Sequence, residues 1–355
     1  MQTAEKAAHP SVSEDESSAS GLDFLWLELT DKCNLACVHC YADSSPMLPL
    51  YQGMDLADWK RVLADSYEAG CRKVQFIGGE PTLYPNLVEL IHYTRSLGYE
   101  FVEVFTNGTA FTDRIKEAFR QFRVHLAFSV YGERASIHDS ITLGAGSFSK
   151  TVQSIKWALG NGLEVRVALV EMDQNTVSID ATRKFFEELG VSEIRIDRKR
   201  RIGRGSNSKG VSSGFDELCG DCWKGKLCVS PTGDIYPCVF SRSRIVGTAA
   251  EGVRAAIEGP RLFGFRSTLR AWLQSSAVNC APVRQQPPCN PDLQRCAPVK
   301  MNDALTRRPE RGKCNPDTAP CNPDTAPCIP AQVEDPLPRQ EAVKKCNPAA
   351  KKCGP

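Results

Sequence analysis

Between residues 22 and 197, short apolar runs alternate with longer stretches of helical spacing. The runs at 22–30, 74–77, 101–105, 124–130, 163–170 and 193–197 read as strands. Residues 55–70, 86–97, 113–122, 148–160 and 179–189 read as helices, with Gly70 and Gly98 as stops. In the first of these, Leu56, Trp59, Val62, Leu63 and Tyr67 recur every three or four residues and line one face. Strands alternating with helices predict an α/β fold with a parallel sheet and crossover helices. Residues 228–238 alternate again and turn at Thr232-Gly233-Asp234, which predicts a β-hairpin. An amphipathic stretch at 253–272 follows. The two ends lack such a pattern. Residues 1–20 are rich in Ser, Glu and Ala and are expected to be disordered. Residues 281–355 are dense in proline and turn residues and are expected to be extended or locally turned.

A chain of 355 residues is long enough for one main domain with appendages. Its net charge of +2 is a mixture of both signs, so nothing electrostatic favours nucleic acid or an acidic partner. The first twenty residues lack the apolar core of a signal peptide, and no run approaches the ~20 apolar residues of a membrane span. A cytoplasmic location is therefore expected. Sixteen cysteines in such a protein point to metal or cluster binding rather than disulfides.

Three of them, Cys33, Cys37 and Cys40, fall in one short stretch, CNLACVHCY, just after the first strand. Three thiolates from one loop can hold three irons of a [4Fe–4S] cubane and leave the fourth open for a small molecule. The same residues also fit a zinc site completed by His39, or buried free thiols. The flanking residues narrow the choice. CxxxCxxC followed by the aromatic Tyr41, with Phe76-Ile77-Gly78-Gly79-Glu80-Pro81-Thr82 after the next strand, resembles the two signatures of the radical S-adenosylmethionine (SAM) enzymes. The resemblance implies that the open iron binds the amino and carboxylate groups of SAM. It also implies that the reduced cluster cleaves SAM to a 5′-deoxyadenosyl radical, which abstracts a hydrogen atom.

Within this resemblance the six strand–helix units of residues 21–205 are expected to form a partial (β/α)6 TIM-like barrel, with the chemistry at the C-terminal ends of the strands. Gly78 and Gly79 lack side chains and permit close backbone approach to a ligand. Together with Glu80 and Pro81 they would hold the amino group of SAM. Tyr41 matches the aromatic beside the adenine, and Asn107 and Ser129 match contacts to the carboxylate and ribose. Tyr131 stands where peptide-modifying members commonly carry Asp, and Thr142 sits near a position where many carry Arg. The basic run at 198–205, RKRRIGRG, reads as a solvated linker or an anion clamp, with Arg198 as the inward candidate.

Residues 206–280 resemble the opening of a SPASM/twitch extension, a small Cys-rich unit for auxiliary clusters. Cys219, Cys222, Cys228 and Cys238 could close one auxiliary [4Fe–4S] cluster, with zinc as the alternative. The second cysteine group of a full SPASM domain is not found intact after the hairpin. The tail at 281–355 is of low complexity. Cys-Asn-Pro recurs at 289, 314, 321 and 346, several cysteines are seven apart, and Asn-Pro-Asp-Thr-Ala-Pro occurs twice in tandem.

The function implied is radical modification of a ribosomally made peptide. An electron donor of flavodoxin or ferredoxin type is expected; twenty N-terminal residues have no room for a recognition domain, so either a separate recognition protein delivers the peptide or it is recognised otherwise. Oxidation or rearrangement of a sugar, aminoglycoside or nucleoside is the enzymatic rival, with maturation of a sulfatase or quinoprotein as a third option. A Cys-rich metal-binding scaffold is the non-enzymatic one. No nucleic-acid or membrane partner is expected.

Overall fold

A computed structural model describes residues 21–206, 214–218, 222 and 224–278, all within the first of the chain's two units, residues 1–299. The expectations for residues 1–20, Cys219 and the 281–355 tail lie outside the described residues.

Six strands follow one another in parallel: β1 (Phe24–Glu28), β2 (Lys73–Ile77), β3 (Phe101–Thr106), β4 (His125–Val130), β5 (Val165–Glu171) and β6 (Glu193–Arg198). Between them run α1 (Leu56–Glu68), α2 (Leu87–Leu97), α3 (Asp113–Gln121), α4 (Ala135–Thr142), α5 (Ser147–Gly160) and α6 (Ile179–Glu188). This is the partial (β/α)6 arrangement expected from the alternation. Helix starts follow local chemistry. Asp55 and Asp58 form a capping box on α1, and the Thr112 hydroxyl accepts from Ile115 N at the head of α3.

One strand face packs under the helices. Leu25, Leu27, Val74, Phe76, Val102, Val104, Leu126 and Phe128 share it and join one core with Trp59, Leu63, Leu87, Leu90 and Phe119. On the opposite face Gln75, Glu103, Ala127 and Arg166 are buried and Trp26, Phe105 and Ser129 half-buried, as in a parallel sheet covered on both sides. There Arg166 of β5 makes two hydrogen bonds of 2.7 Å to Glu103 of β3, and Gln75 of β2 caps the same carboxylate. Arg166 and its hydrogen bonds hold Glu103 ionised below the ordinary carboxylate range against its burial.

The hairpin does not stand apart from this sheet. β7 (Lys226–Val229) lies parallel beside β1, with Trp26 opposite Cys228, and β8 (Asp234–Tyr236) and β9 (Gly247–Thr248) continue antiparallel. The strand order is β6-β5-β4-β3-β2-β1-β7-β8-β9. The stretch at 253–272 becomes two helices, α7 (Val253–Glu258) and α8 (Pro260–Val278), because Gly259-Pro260 interrupts it. No described helix is long and apolar enough to cross a membrane.

Candidate active site

The cysteine loop leaves the C-terminal end of β1 and is fastened along its length by backbone bonds. Cys33 N donates to Ser45 O at 3.2 Å, Ala36 N to Thr142 O at 3.2 Å and Val38 N to Ile141 O at 3.0 Å. Thr142, the last residue of α4, thus holds the loop through its carbonyl. Cys33 is buried, and Cys37 and Cys40 are half-buried. Burial, and after it the charge of Glu80, pushes the Cys33 thiol up to about 12. Burial, then Cys40 and Cys33, pushes the Cys37 thiol up as well.

The Gly78-Gly79-Glu80-Pro81 loop leaves β2 and docks on this loop. Gly79 N donates to Thr30 O at 2.6 Å and Glu80 N to Lys32 O at 2.9 Å. A Cβ on Gly78 would lie 2.5 Å from the Thr30 carbonyl, and one on Gly79 would collide with that of Lys32. The close approach for which glycine is needed is thus to the backbone of 30–32. Pro81 starts a single 3-10 turn, Pro81–Leu83, where a missing N–H costs nothing.

Glu80 is fully buried. Its Oε1 accepts from Thr82 N (3.0 Å), the Thr82 hydroxyl (2.6 Å) and the Thr106 hydroxyl (2.6 Å). Its Oε2 accepts from Asn107 N at 2.7 Å. Burial raises its carboxyl pKa, and these hydrogen bonds work against that. No Lys, Arg or His partner balances it among the described residues. Asn107 follows β3. Its Nδ2 donates to Asn34 Oδ1 at 2.9 Å and lies 3.7 Å from Cys33 Sγ, and its Oδ1 accepts from both Thr109 N and the Thr109 hydroxyl. Ser129 lies near the end of β4 and hydrogen-bonds the Tyr131 side chain. Tyr131 is buried against Cys37 and Val38, edge-on to His39 at 4.7 Å. Burial holds His39 down to about 4, with Arg204 and Lys199 adding to it.

Tyr41 leads toward the hairpin. Its hydroxyl donates to Glu28 Oε1 at 3.2 Å, and its ring meets Phe240 edge-on at 5.5 Å. Arg242 Nη1 lies 2.6 Å from both Glu28 oxygens. Among the hairpin cysteines, Cys222 Sγ and Cys238 Sγ are 3.1 Å apart and buried. Cys228 is fully buried on β7, opposite Tyr236, and burial, then the Glu28 charge, pushes its thiol well up.

A model of the Radical SAM superfamily matches residues 27–186. This chain carries a radical SAM domain. The chain is 26% identical over 245 residues to the antilisterial bacteriocin subtilosin biosynthesis protein AlbA of Bacillus subtilis, covering 60% of this chain and 54% of that protein. It is 27% identical over 253 residues to mycofactocin maturase MftC of Mycobacterium tuberculosis, covering 60% and 63%. It thus spans a little over half to under two thirds of these relatives' length. The crystal structure of Streptococcus suis SuiB bound to precursor peptide SuiA superposes with a TM-score of 0.59 at 16% identity, over 70% of this chain and 67% of that one. At that identity the likeness concerns the fold.

A radical SAM domain uses a [4Fe–4S] cluster and SAM. The residues of this one fit both groups. The Glu80 charge adds to the cost of ionising Cys33, and burial raises the cost of ionising Glu80; each would be relieved by a cationic partner, iron for the thiol and an ammonium for the carboxylate. Among the described residues no three His, Cys, Asp or Glu side chains gather closely enough for one metal ion. A cluster asks for less, one sulfur for each iron spread around its edge.

Three features of the radical SAM site were not anticipated. The inward arginine of the basic run is Arg204, not Arg198. Arg198 is half exposed and paired with Glu217, whereas Arg204 donates to the Cys37 and Ser44 carbonyls. Helix α4 carries His138, whose Nδ1 accepts from Tyr131 N at 3.3 Å. Glu28 and Arg242 meet across more than two hundred residues of chain. The Gly203-Arg204-Gly205 triplet was a usable signal for the first. Nothing local marks the Glu28–Arg242 pair.

Proposed function

We propose that the chain is a radical SAM enzyme that modifies a ribosomally synthesised peptide. The observation that carries the reading is the docking of the Gly-Gly-Glu-Pro loop on the three-cysteine loop, which puts the unbalanced carboxylate of Glu80 beside Cys33. In this reading Cys33, Cys37 and Cys40 ligate the cluster, and Glu80 accepts from the ammonium of SAM through the lone pairs left on Oε2. Asn107, tied to both Cys33 and Glu80, keeps the two loops in register. Its Nδ2 can exchange Asn34 for the SAM carboxylate. Tyr41 and Ser129 border the adenosine, and Tyr131 closes the apolar wall beside Cys37 and limits water. When bound, the reduced cluster and SAM together supply the 5′-deoxyadenosyl radical that abstracts hydrogen from substrate.

Cys222, Cys228 and Cys238, joined by Cys219, are assigned to one auxiliary [4Fe–4S] cluster. The contact of 3.1 Å between Cys222 and Cys238 supports two sulfurs sharing one group. A peptide substrate is supported by the bacteriocin and maturase relatives and by a fold shared with a protein crystallised on its precursor peptide. The electron donor and a separate peptide-recognition protein belong to the same proposal.

The test is co-expression of the full chain with candidate precursor peptides from its own genome, followed by mass spectrometry. A mass change in one peptide that requires Cys33, Cys37 and Cys40 supports the reading. SAM cleavage with no peptide changed, but with a sugar or nucleoside consumed, overturns the peptide assignment.

A further inference from the structure

The basic run at 198–205 is not one surface. Arg198, Arg200 and Arg201 each meet a carboxylate: Glu217, Asp197, and both Asp216 and Glu217 respectively. Arg204 makes no ion pair among the described residues. Among the described residues its hydrogen bonds go to carbonyls of the cysteine loop. Its Nε donates to Cys37 O at 2.8 Å, its Nη2 to Ser44 O at 2.6 Å and its backbone amide to Cys40 O at 3.0 Å.

The backbone on either side of it is pressed against the same loop. Gly203 has φ +55°, and a Cβ there would lie 2.5 Å from the carbonyls of Cys40 and Tyr41. A Cβ on Gly205 would collide with the Arg200 carbonyl. Two residues without side chains thus bring one guanidinium under the loop.

Neutral carbonyls do not require a full cation. A half-buried guanidinium without a carboxylate is costly unless something negative shares its surroundings. Beside it is the loop it braces, where it holds the carbonyls of two of the three cysteines, Cys37 and Cys40. A cluster held by thiolates carries net negative charge, and reduction adds one more. Nearby charge and hydrogen bonding set how readily that electron is accepted.

We propose that Arg204 is a positioning residue with two tasks: it fixes the cysteine loop through three carbonyls, and it supplies the counter-charge that keeps the loop's iron–sulfur cluster reducible. The inference rests on the radical SAM reading above. It assigns the basic run its purpose: three arginines hold the segment in place with carboxylates, and the fourth is left for the cluster.

The test uses the full chain, reconstituted without oxygen, as wild type, Arg204→Lys and Arg204→Met. Iron per chain, the reduction potential from a titration followed by electron paramagnetic resonance, and SAM binding are read for each. The melting of each metal-free chain is the folding control. Arg204→Met is expected to take the electron only at more negative potential, or to lose the cluster while its metal-free form melts as wild type does. Arg204→Lys keeps the charge and loses the fork. Its potential should stay near wild type, with SAM bound several-fold more weakly. Wild-type potential and iron content in Arg204→Met overturn the proposal, as does an equal shift in Arg204→Lys and Arg204→Met. A wild type that binds no cluster overturns the functional reading, and this one with it.

Discussion

Arg242 places one guanidinium nitrogen 2.6 Å from each carboxylate oxygen of Glu28, the fully buried last residue of β1. The pair joins the strand that launches the cysteine loop to the segment just past Cys238. Burial lifts the Glu28 carboxyl even against Arg242, so the arginine is what makes an ionised Glu28 tolerable there. Arg242→Met leaves that carboxyl alone and is expected to cost about 3–5 kcal/mol of stability. Adding Glu28→Gln should restore much of the loss. Denaturant unfolding of the metal-free chains reads both, and a cost for the pair equal to the sum of the single changes would show that the two residues act separately.

Gly79→Ala forces a Cβ into the Lys32 carbonyl. The expected result is separation of the two loops, with iron content and SAM binding falling together. Iron analysis and equilibrium dialysis check it.

Glu80→Gln keeps the shape of the side chain and removes its charge. Iron content should stay unchanged while SAM binding weakens by at least about tenfold, the loss of roughly one charged hydrogen bond. Iron falling in step with SAM binding would assign Glu80 to the fold of the loop instead.

His138 gives a pH dependence. Burial holds it down to about 4 in the folded chain, against an ordinary 6.5, although Asp139 pulls the other way. The unfolded chain therefore binds a proton first as pH falls. His138 contributes nothing above about pH 6.5 and becomes increasingly destabilising from there down through 4, by about 3 kcal/mol at the end. Protonation of Nδ1 would also remove the acceptor used by Tyr131 N. His138→Gln is expected to lose less melting temperature than wild type between pH 7 and pH 5, measured on the metal-free chain.

The hairpin thiols should be separable from the loop thiols. Replacing Cys222, Cys228 and Cys238 together by Ala is expected to remove the iron of one cluster and leave the SAM-dependent signal of the other. Loss of both would mean that the two iron sites depend on each other.

Most of the barrel was legible because each strand is a short apolar or alternating run and most of the helices have an apolar period of their own. Phe101–Thr106 and Asp113–Gln121 fall within a residue of their expected ranges. Helix α4 was missed because its eight residues are mixed in polarity and bury His138 and Thr142 beside Ile141. The parallel pairing of β7 with β1 was invisible because a hairpin's period does not say which strand it will join. Within the site, cysteines and glycines advertise themselves by spacing. Arg242 does not, and Arg204 does so only through the glycines on either side of it, since their partners are a carboxylate and carbonyls that only the folded chain brings to them.

The central claim is that Cys33, Cys37 and Cys40 hold the cluster that cleaves SAM. The most direct measurement is 5′-deoxyadenosine formation and iron content after anaerobic reconstitution, with dithionite and SAM, in wild type and in the chain with all three cysteines changed to Ala. The account predicts deoxyadenosine from wild type only, with about four irons fewer in the variant. Deoxyadenosine retained by the variant, or zinc in place of iron in the wild type, would contradict it.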